Sequence, residues 1–180
     1  MLTFDKAFSP ENVDEAVGYL YTKANTLGID GVKLHNVAEH IKTHPVSDDI
    51  RNGRYIPAPA MAEQISKRSG GLRTIYKLGS VDRFIAKVVQ IAVVRHFDYM
   101  FAPQCIGYRK SKGTADCVSI IREGLKNGLL FAVKLDISDF FGSIRHDKLL
   151  KQVDSLDVDE IIKRVIRIMI EYPVLNNFKV

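Results

Sequence analysis

Helical and strand periods divide this chain almost without gaps. Ser9-Pro10-Glu11 has the form of a helix start, a capping hydroxyl followed by proline at the first helical position. Val13, Val17, Leu20, Tyr21, Ala24 and Leu27 then recur at helical spacing, and Gly28-Ile29-Asp30-Gly31 ends the helix in a turn. A second amphipathic stretch runs from Val32 to Thr43 and closes at Pro45, after which Ser47-Asp48-Asp49 can open a short helix. Pro57 and Pro59 stiffen an extended linker over residues 52–59. Met61–Ser66 and Leu72–Lys77 are strand-like runs on either side of Lys67-Arg68-Ser69-Gly70-Gly71, which predicts a β-hairpin.

The second half is mostly helical. Phe84 to Phe101 carries Phe84, Ile85, Val88, Val89, Ile91, Ala92 and Phe97, a stripe broad enough for a helix covered on more than one side. Thr114 caps a helix with Ala115, Val118, Ile121 and Leu125 on one face, and Asn127-Gly128 ends it. Phe131, Val133 and Leu135 then alternate with Ala132, Lys134 and Asp136, the period of a strand with one buried face. Helical patterning returns over His146–Val153 and Asp159–Tyr172. The latter has Ile161, Ile162, Val165, Ile168 and Met169 on one side and Lys163, Arg164 and Arg167 on the other, and Pro173 stops it. The pattern as a whole is α+β, rich in helix.

At 180 residues the chain can bury a real core, as one domain or part of a larger one. No apolar run approaches the length of a membrane span, and Met1–Pro10 has no basic-then-apolar leader, so no membrane partner and a cytoplasmic setting are expected. Cys105 and Cys117 have neither CxxC spacing nor a histidine pair beside them, which predicts buried free thiols. His35, His40 and His44 do not make the HExxH pattern of a zinc site and read as solvated helix residues. Charge is unevenly spread. Residues 1–50 hold four Lys/Arg against eight Asp/Glu, whereas 51–95 hold nine against two, a local +7 within a net +5. Such a concentration is the electrostatic footprint of phosphate binding, and it is also common on solvated faces.

The strand over 131–136 delivers Asp136 and Asp139 just where it ends, followed at once by Phe140 and Phe141. Carboxylates beside bulky apolar groups cost stability unless a cation meets them, and a divalent metal is the natural partner. Taken by itself, Asp-x-x-Asp after a strand also serves as a turn or helix cap. With Ile144 and His146 behind it, Asp136-Ile137-Ser138-Asp139-Phe140-Phe141 closely resembles motif A of reverse transcriptases, the first catalytic block of the polymerase palm. Upstream blocks fall in that family's order. Ser66-Lys67-Arg68-Ser69-Gly70-Gly71-Leu72-Arg73 is similar to the fingertip hairpin, with Ser66 where proline is usual. Asp82-Arg83 followed by Gln90 matches the "DR…Q" block, and Gly107-Tyr108-Arg109 resembles the Gly-aromatic-Arg trio, with Tyr108 for phenylalanine. The likeness covers roughly Gly28 to Pro173.

The resemblance implies right-hand polymerase fingers with the first part of the palm. Residues 1–50 would be an N-terminal helical extension, and 51–130 the fingers, with hairpin 61–77 and helices 84–101 and 114–127. Residues 131–180 would begin a truncated palm. It also implies template-directed DNA synthesis from dNTPs on an RNA template with a DNA or RNA primer, served by two magnesium ions, with manganese as substitute. Asp136 would be catalytic and bind both metals, and the Ile137 carbonyl would bind one. Asp139 and Phe140 would offer backbone N–H groups to the triphosphate, and Phe141 would be the steric gate against a ribose 2′-hydroxyl. Lys67 and Arg73, on facing arms of a glycine turn, would hold the triphosphate. Arg83, Tyr108, Arg109 and Lys110 would follow the nucleic-acid strand, ring against base and cation against phosphate.

The family's aromatic-x-Asp-Asp turn appears nowhere in these residues, nor do the blocks that follow motif A. One carboxylate cannot hold two magnesium ions at working geometry. The expectation is therefore an N-terminal fragment that does not polymerise alone and whose partner is the missing palm and thumb half or a fused module. The alternative is a non-catalytic nucleic-acid-binding or scaffold protein that keeps the fingers. Gly28-Ile29-Asp30-Gly31 and the "DR" and "GYR" blocks lean toward the group II intron-like set, which includes intron maturases, CRISPR-associated and diversity-generating enzymes.

Overall fold

The structure is a computed structural model that describes residues 1–23, 27–43, 46–67 and 70–175. Ala24, His44, Pro45, Arg68 and Ser69, and the side chain of His35, lie outside what it describes. In chain order it forms α1 (Phe4–Ala7), α2 (Pro10–Tyr21), α3 (Val37–Thr43), α4 (Val46–Arg51), β1 (Ala60–Ser66), β2 (Leu72–Lys77) and α5 (Ser80–Phe97). There follow α6 (Thr114–Lys126), α7 (Phe140–Ser143), α8 (His146–Ser155), α9 (Glu160–Ile170) and β3 (Val174–Leu175). Mixed helix and strand is thus the observed class.

Local chemistry explains most boundaries. Ser9 caps α2 by accepting the Asn12 N–H at 3.5 Å, with proline in the first turn. The helix stops at Tyr21, short of the expected Leu27. Leu27 instead bridges Lys33 across a closed turn in which the Gly28 N–H donates to the Val32 carbonyl at 2.9 Å. Asp159 caps α9 through the Ile161 N–H at 2.7 Å and also accepts the Phe4 N–H at 3.1 Å, so one carboxylate starts one helix and tethers another. Arg164, expected on the solvated side of α9, turns its guanidinium to the Ile50 carbonyl at 2.7 Å.

The chain divides into two compact units, residues 1–93 with 146–180, and residues 94–145. The first holds the hydrophobic core. Phe84, Ile85, Val88 and Val89 of α5 are buried in it, as are Ala16 and Leu20 of α2, Ile50 of α4, and Ile162 and Val165 of α9. Each large side chain so enclosed is worth about 1.5–3 kcal/mol of hydrophobic transfer. The sheet has the order β2-β1-β3, with β1 and β2 antiparallel and β1 and β3 parallel. Ala60 and Ala62 anchor the base of the ribbon in the core, while its tip stands in solvent.

The second unit has no comparable interior. Of its described residues only Phe97 is buried. The amphipathic helix expected over 114–127 forms as α6, yet Val118, Ile121 and Leu125 on its apolar side are exposed. The strand expected over 131–136 does not form. Phe131, Val133 and Leu135 are 95%, 84% and 88% exposed, and the segment has no strand beside it among the described residues. An alternating segment becomes a strand only when a neighbour takes its N–H and C=O groups. The cysteines also depart from expectation, since both are exposed. Cys117 lies on α6, none of whose residues is buried, and Cys105 lies in the irregular loop ahead of it.

Candidate functional site

The hairpin shapes the first group of candidate residues. Its turn is built by two left-handed glycines, Gly70 at φ 86° and Gly71 at φ 81°, a conformation that costs a residue with a Cβ about 1–2 kcal/mol. Lys67 N–H donates to the Gly71 carbonyl at 2.9 Å and closes the tip. In the ladder Arg73 stands opposite Ile65, two residues before Lys67. Period-two alternation therefore sends Lys67 and Arg73 to the same face of the ribbon. Both are exposed. The structure thus brings these two cations together at one solvent-facing tip.

Arg83 opens α5 in a different setting from its neighbour. Asp82 is 4% exposed and accepts the Tyr55 hydroxyl at 2.5 Å, so the carboxylate of the Asp-Arg pair is a structural acceptor. Burial, and then the bond to Asp82, push the Tyr55 hydroxyl far above its ordinary pKa. Tyr172 sits by the same carboxylate with its hydroxyl enclosed and likewise pushed up, first by burial. Asp30 joins the cluster by accepting the Val32 N–H at 3.1 Å and the Val81 N–H at 3.2 Å, while the Ser80 hydroxyl donates to the Val32 carbonyl at 2.6 Å. Two blocks some fifty residues apart in sequence are one contact in space. Nothing in the periodicity marks Tyr55, which stands in the proline linker.

In the second unit, Arg109 is spoken for. Its guanidinium donates to both oxygens of Asp98 at 2.8 Å and to the carbonyls of Ala102 at 3.2 Å and Cys105 at 3.1 Å. This planar fork closes the loop from Asp98 to Arg109. Arg109 is accordingly a clamp in this arrangement, with its side chain 11% exposed, and the neighbouring Tyr108 is what the loop presents. Tyr108 has φ 60° and is 95% exposed, an unusual backbone state for an aromatic residue with its ring in water. Lys110 beside it is also exposed. Hydrogen bonding to Arg109 holds the Asp98 carboxyl below its ordinary range, and the same bond raises Arg109. A depressed carboxylate stabilises the closed loop above its unfolded pKa and loses that effect as pH falls through its folded value. The loop is therefore expected to stay closed at neutral pH and to open only below about pH 4. An NMR titration of the Asp98 carboxyl, read beside the Tyr108 amide, checks this, and an Asp98 midpoint at or above the ordinary carboxylate value rules out the clamp.

The third group follows the unpaired segment. Asp136 is exposed and accepts the Ile137 N–H at 3.0 Å. Leu135, Asp136, Ile137 and Phe140 line an open hollow of about 380 Å³. Asp139 takes the left-handed conformation, φ 47° and ψ 49°, at the start of α7. Its carboxylate folds over Gly142, where an added Cβ would lie 2.2 Å from Oδ2. Phe140 and Phe141 pack edge to face with ring centroids 5.2 Å apart, and Phe141 remains largely exposed. Asp136 and Asp139 are the acids here, and no group of three or more metal-ligating side chains occurs among the described residues. Magnesium wants near-octahedral oxygen ligation from several donors, so these residues do not by themselves fit a two-ion centre.

No helix among the described residues is long and apolar enough to cross a membrane. Compared with models of known protein families the chain matches none, and no curated protein matches it.

Proposed function

We propose that this chain serves nucleic-acid synthesis as the fingers and opening palm segment of a reverse transcriptase, gripping phosphates without completing catalysis by itself. The observation that supports it most is the hairpin, where Lys67 and Arg73 share one face of a ribbon beside a glycine turn. That arrangement suits the charge of a nucleotide triphosphate, because two cations on one face of a narrow ribbon can meet it together. The order of sequence blocks around Asp136 supplies the rest. Asp136 would contribute one carboxylate to a metal centre that needs further oxygen donors. Phe141, bulky and uncovered, would stand where a ribose 2′-hydroxyl has to pass, which favours deoxynucleotides.

The Lys67→Ala/Arg73→Ala double variant tests this. Loss of dNTP binding by about tenfold is expected, with less than a twofold change in primer–template affinity. Phosphorus NMR follows the nucleotide and fluorescence anisotropy follows the strand. The reverse pattern favours the non-catalytic alternative: unchanged dNTP binding, weaker strand binding and a salt slope flattened by about 1.8 units on a duplex.

A further inference from the structure

The first unit carries a groove that none of the motif blocks describes as a whole. It lies between the last turns of α2 and the first half of α5 and encloses about 590 Å³. Leu34 and Leu78 belong to an apolar lining, while Tyr19, Lys23, Arg83 and Lys87 supply its chemistry. No lining residue is acidic. Lys87 Nζ sits over one face of the Tyr19 ring, 3.8 Å from its centroid, and donates to Gln90 at 3.0 Å, so the ammonium covers that face and a base has only the rest of the ring to meet. Neither Lys23 nor Arg83 has a carboxylate within ion-pair distance among the described residues. Three cations converging on one apolar groove without a counter-charge repel one another, and an anion relieves that repulsion.

We propose that this groove is a binding site for single-stranded nucleic acid, with a base against the exposed part of Tyr19 and successive phosphates on Lys23, Arg83 and Lys87. The proposal rests on the chain's suggested role with nucleic acid and adds a strand contact outside the hairpin tip. The spacing separates a strand from a lone nucleotide. Arg83 and Lys87 lie four residues apart on α5, about 6 Å along its axis, which suits neighbouring phosphates better than one cradled group. The N-terminus of α5, which could have served a single phosphate, is already met by Asp30 at the Val81 N–H. An apolar floor with one half-exposed aromatic accepts any base face, so weak sequence preference is expected.

The experiment uses the full 180-residue chain and a fluorescein-labelled 12-nucleotide single strand, with anisotropy read across a salt series. Lys23→Gln/Lys87→Gln is expected to weaken binding about tenfold at 0.1 M salt and to flatten the log–log salt slope by about 1.4 units. Tyr19→Leu is expected to weaken it about tenfold with the slope unchanged, as loss of stacking does. Should the Lys87 change disturb folding, Lys23→Gln alone at an exposed position is expected to flatten the slope by about 0.7 units. Affinity and slope equal to the parent chain in these variants overturn the groove, whatever the hairpin variant does to dNTP binding. Displacement of the 12-mer by dATP at equal nucleotide concentration overturns the strand assignment in favour of a single-nucleotide pocket. A dNTP result that goes against the hairpin with the groove variants behaving as stated removes the polymerase role and leaves the strand site standing.

Discussion

Asp82→Ala lowers the melting temperature of this chain by roughly 5–10 °C, the equivalent of about 2–3 kcal/mol at this size. The cause is local and specific. Asp82 is 4% exposed, and its carboxylate is the acceptor for the Tyr55 hydroxyl. Truncation leaves that hydroxyl enclosed with nothing to receive its proton, and it removes a negative group from the first turn of α5. Asp82→Asn keeps an acceptor and loses less. Tyr55→Phe takes one donor from the carboxylate and leaves Tyr172 beside it, and because both changes remove the same bond the Asp82→Ala/Tyr55→Phe double variant should cost less than the two singles added. Differential scanning calorimetry on the four proteins checks this, and strict additivity would mean that the pair does not interact.

Gly28→Ala is expected to cost about 3 kcal/mol, near the upper range for forcing atoms into a packed site. A Cβ at Gly28 would lie 2.3 Å from Asp30 Oδ1 and 2.5 Å from both the backbone nitrogen and the hydroxyl of Ser80. The carboxylate could swing away only by giving up the Val32 N–H, and the Ser80 nitrogen could retreat only by moving the start of α5. Gly18, inside α2, is the control. A Cβ there meets nothing within 4 Å, so Gly18→Ala should stabilise the chain by about 0.5–1 kcal/mol. Urea unfolding separates the two. Equal midpoints for Gly28→Ala and the parent chain would show that the turn does not pack on α5.

Those two residues show how far the amino-acid sequence could be read. Gly28-Ile29-Asp30-Gly31 is legible as a turn, and Asp82-Arg83 as a helix start, because glycine and capping chemistry act over a few residues. That the turn packs on the helix start is not legible, since periodicity holds no information about which elements meet. Helices such as α5 and α9 agree with their apolar spacing because each buries that face against a core, while on α2 the buried face is Asn12, Ala16 and Leu20 and β2 buries none of its residues. Residues 131–136 fail the same test for a physical reason: alternation states which face would be buried and says nothing of whether a neighbour is there. Arg109 is a different case. A cation beside an aromatic has the same pattern whether it meets a phosphate or an aspartate, and only the geometry assigns it to Asp98. Of the groove, Arg83 and Gln90 stand out in sequence as parts of one block, whereas Tyr19, Lys23 and Lys87 belong to no motif.

Leu2 pairs with Val158, and the Phe4 N–H is held by Asp159. The first unit is therefore finished by residues from opposite ends of the chain, with the second unit spelled out between them. On a ribosome the core of α2 and α5 must wait, with its later face bare, until α9 has left the exit tunnel. At about 5–20 residues per second, that delay after α5 lasts several seconds. Closing so long a loop adds little to the equilibrium cost, because the entropy grows only with the logarithm of length. Its effect falls on timing: the half-made unit spends those seconds open to chaperones and to misdocking.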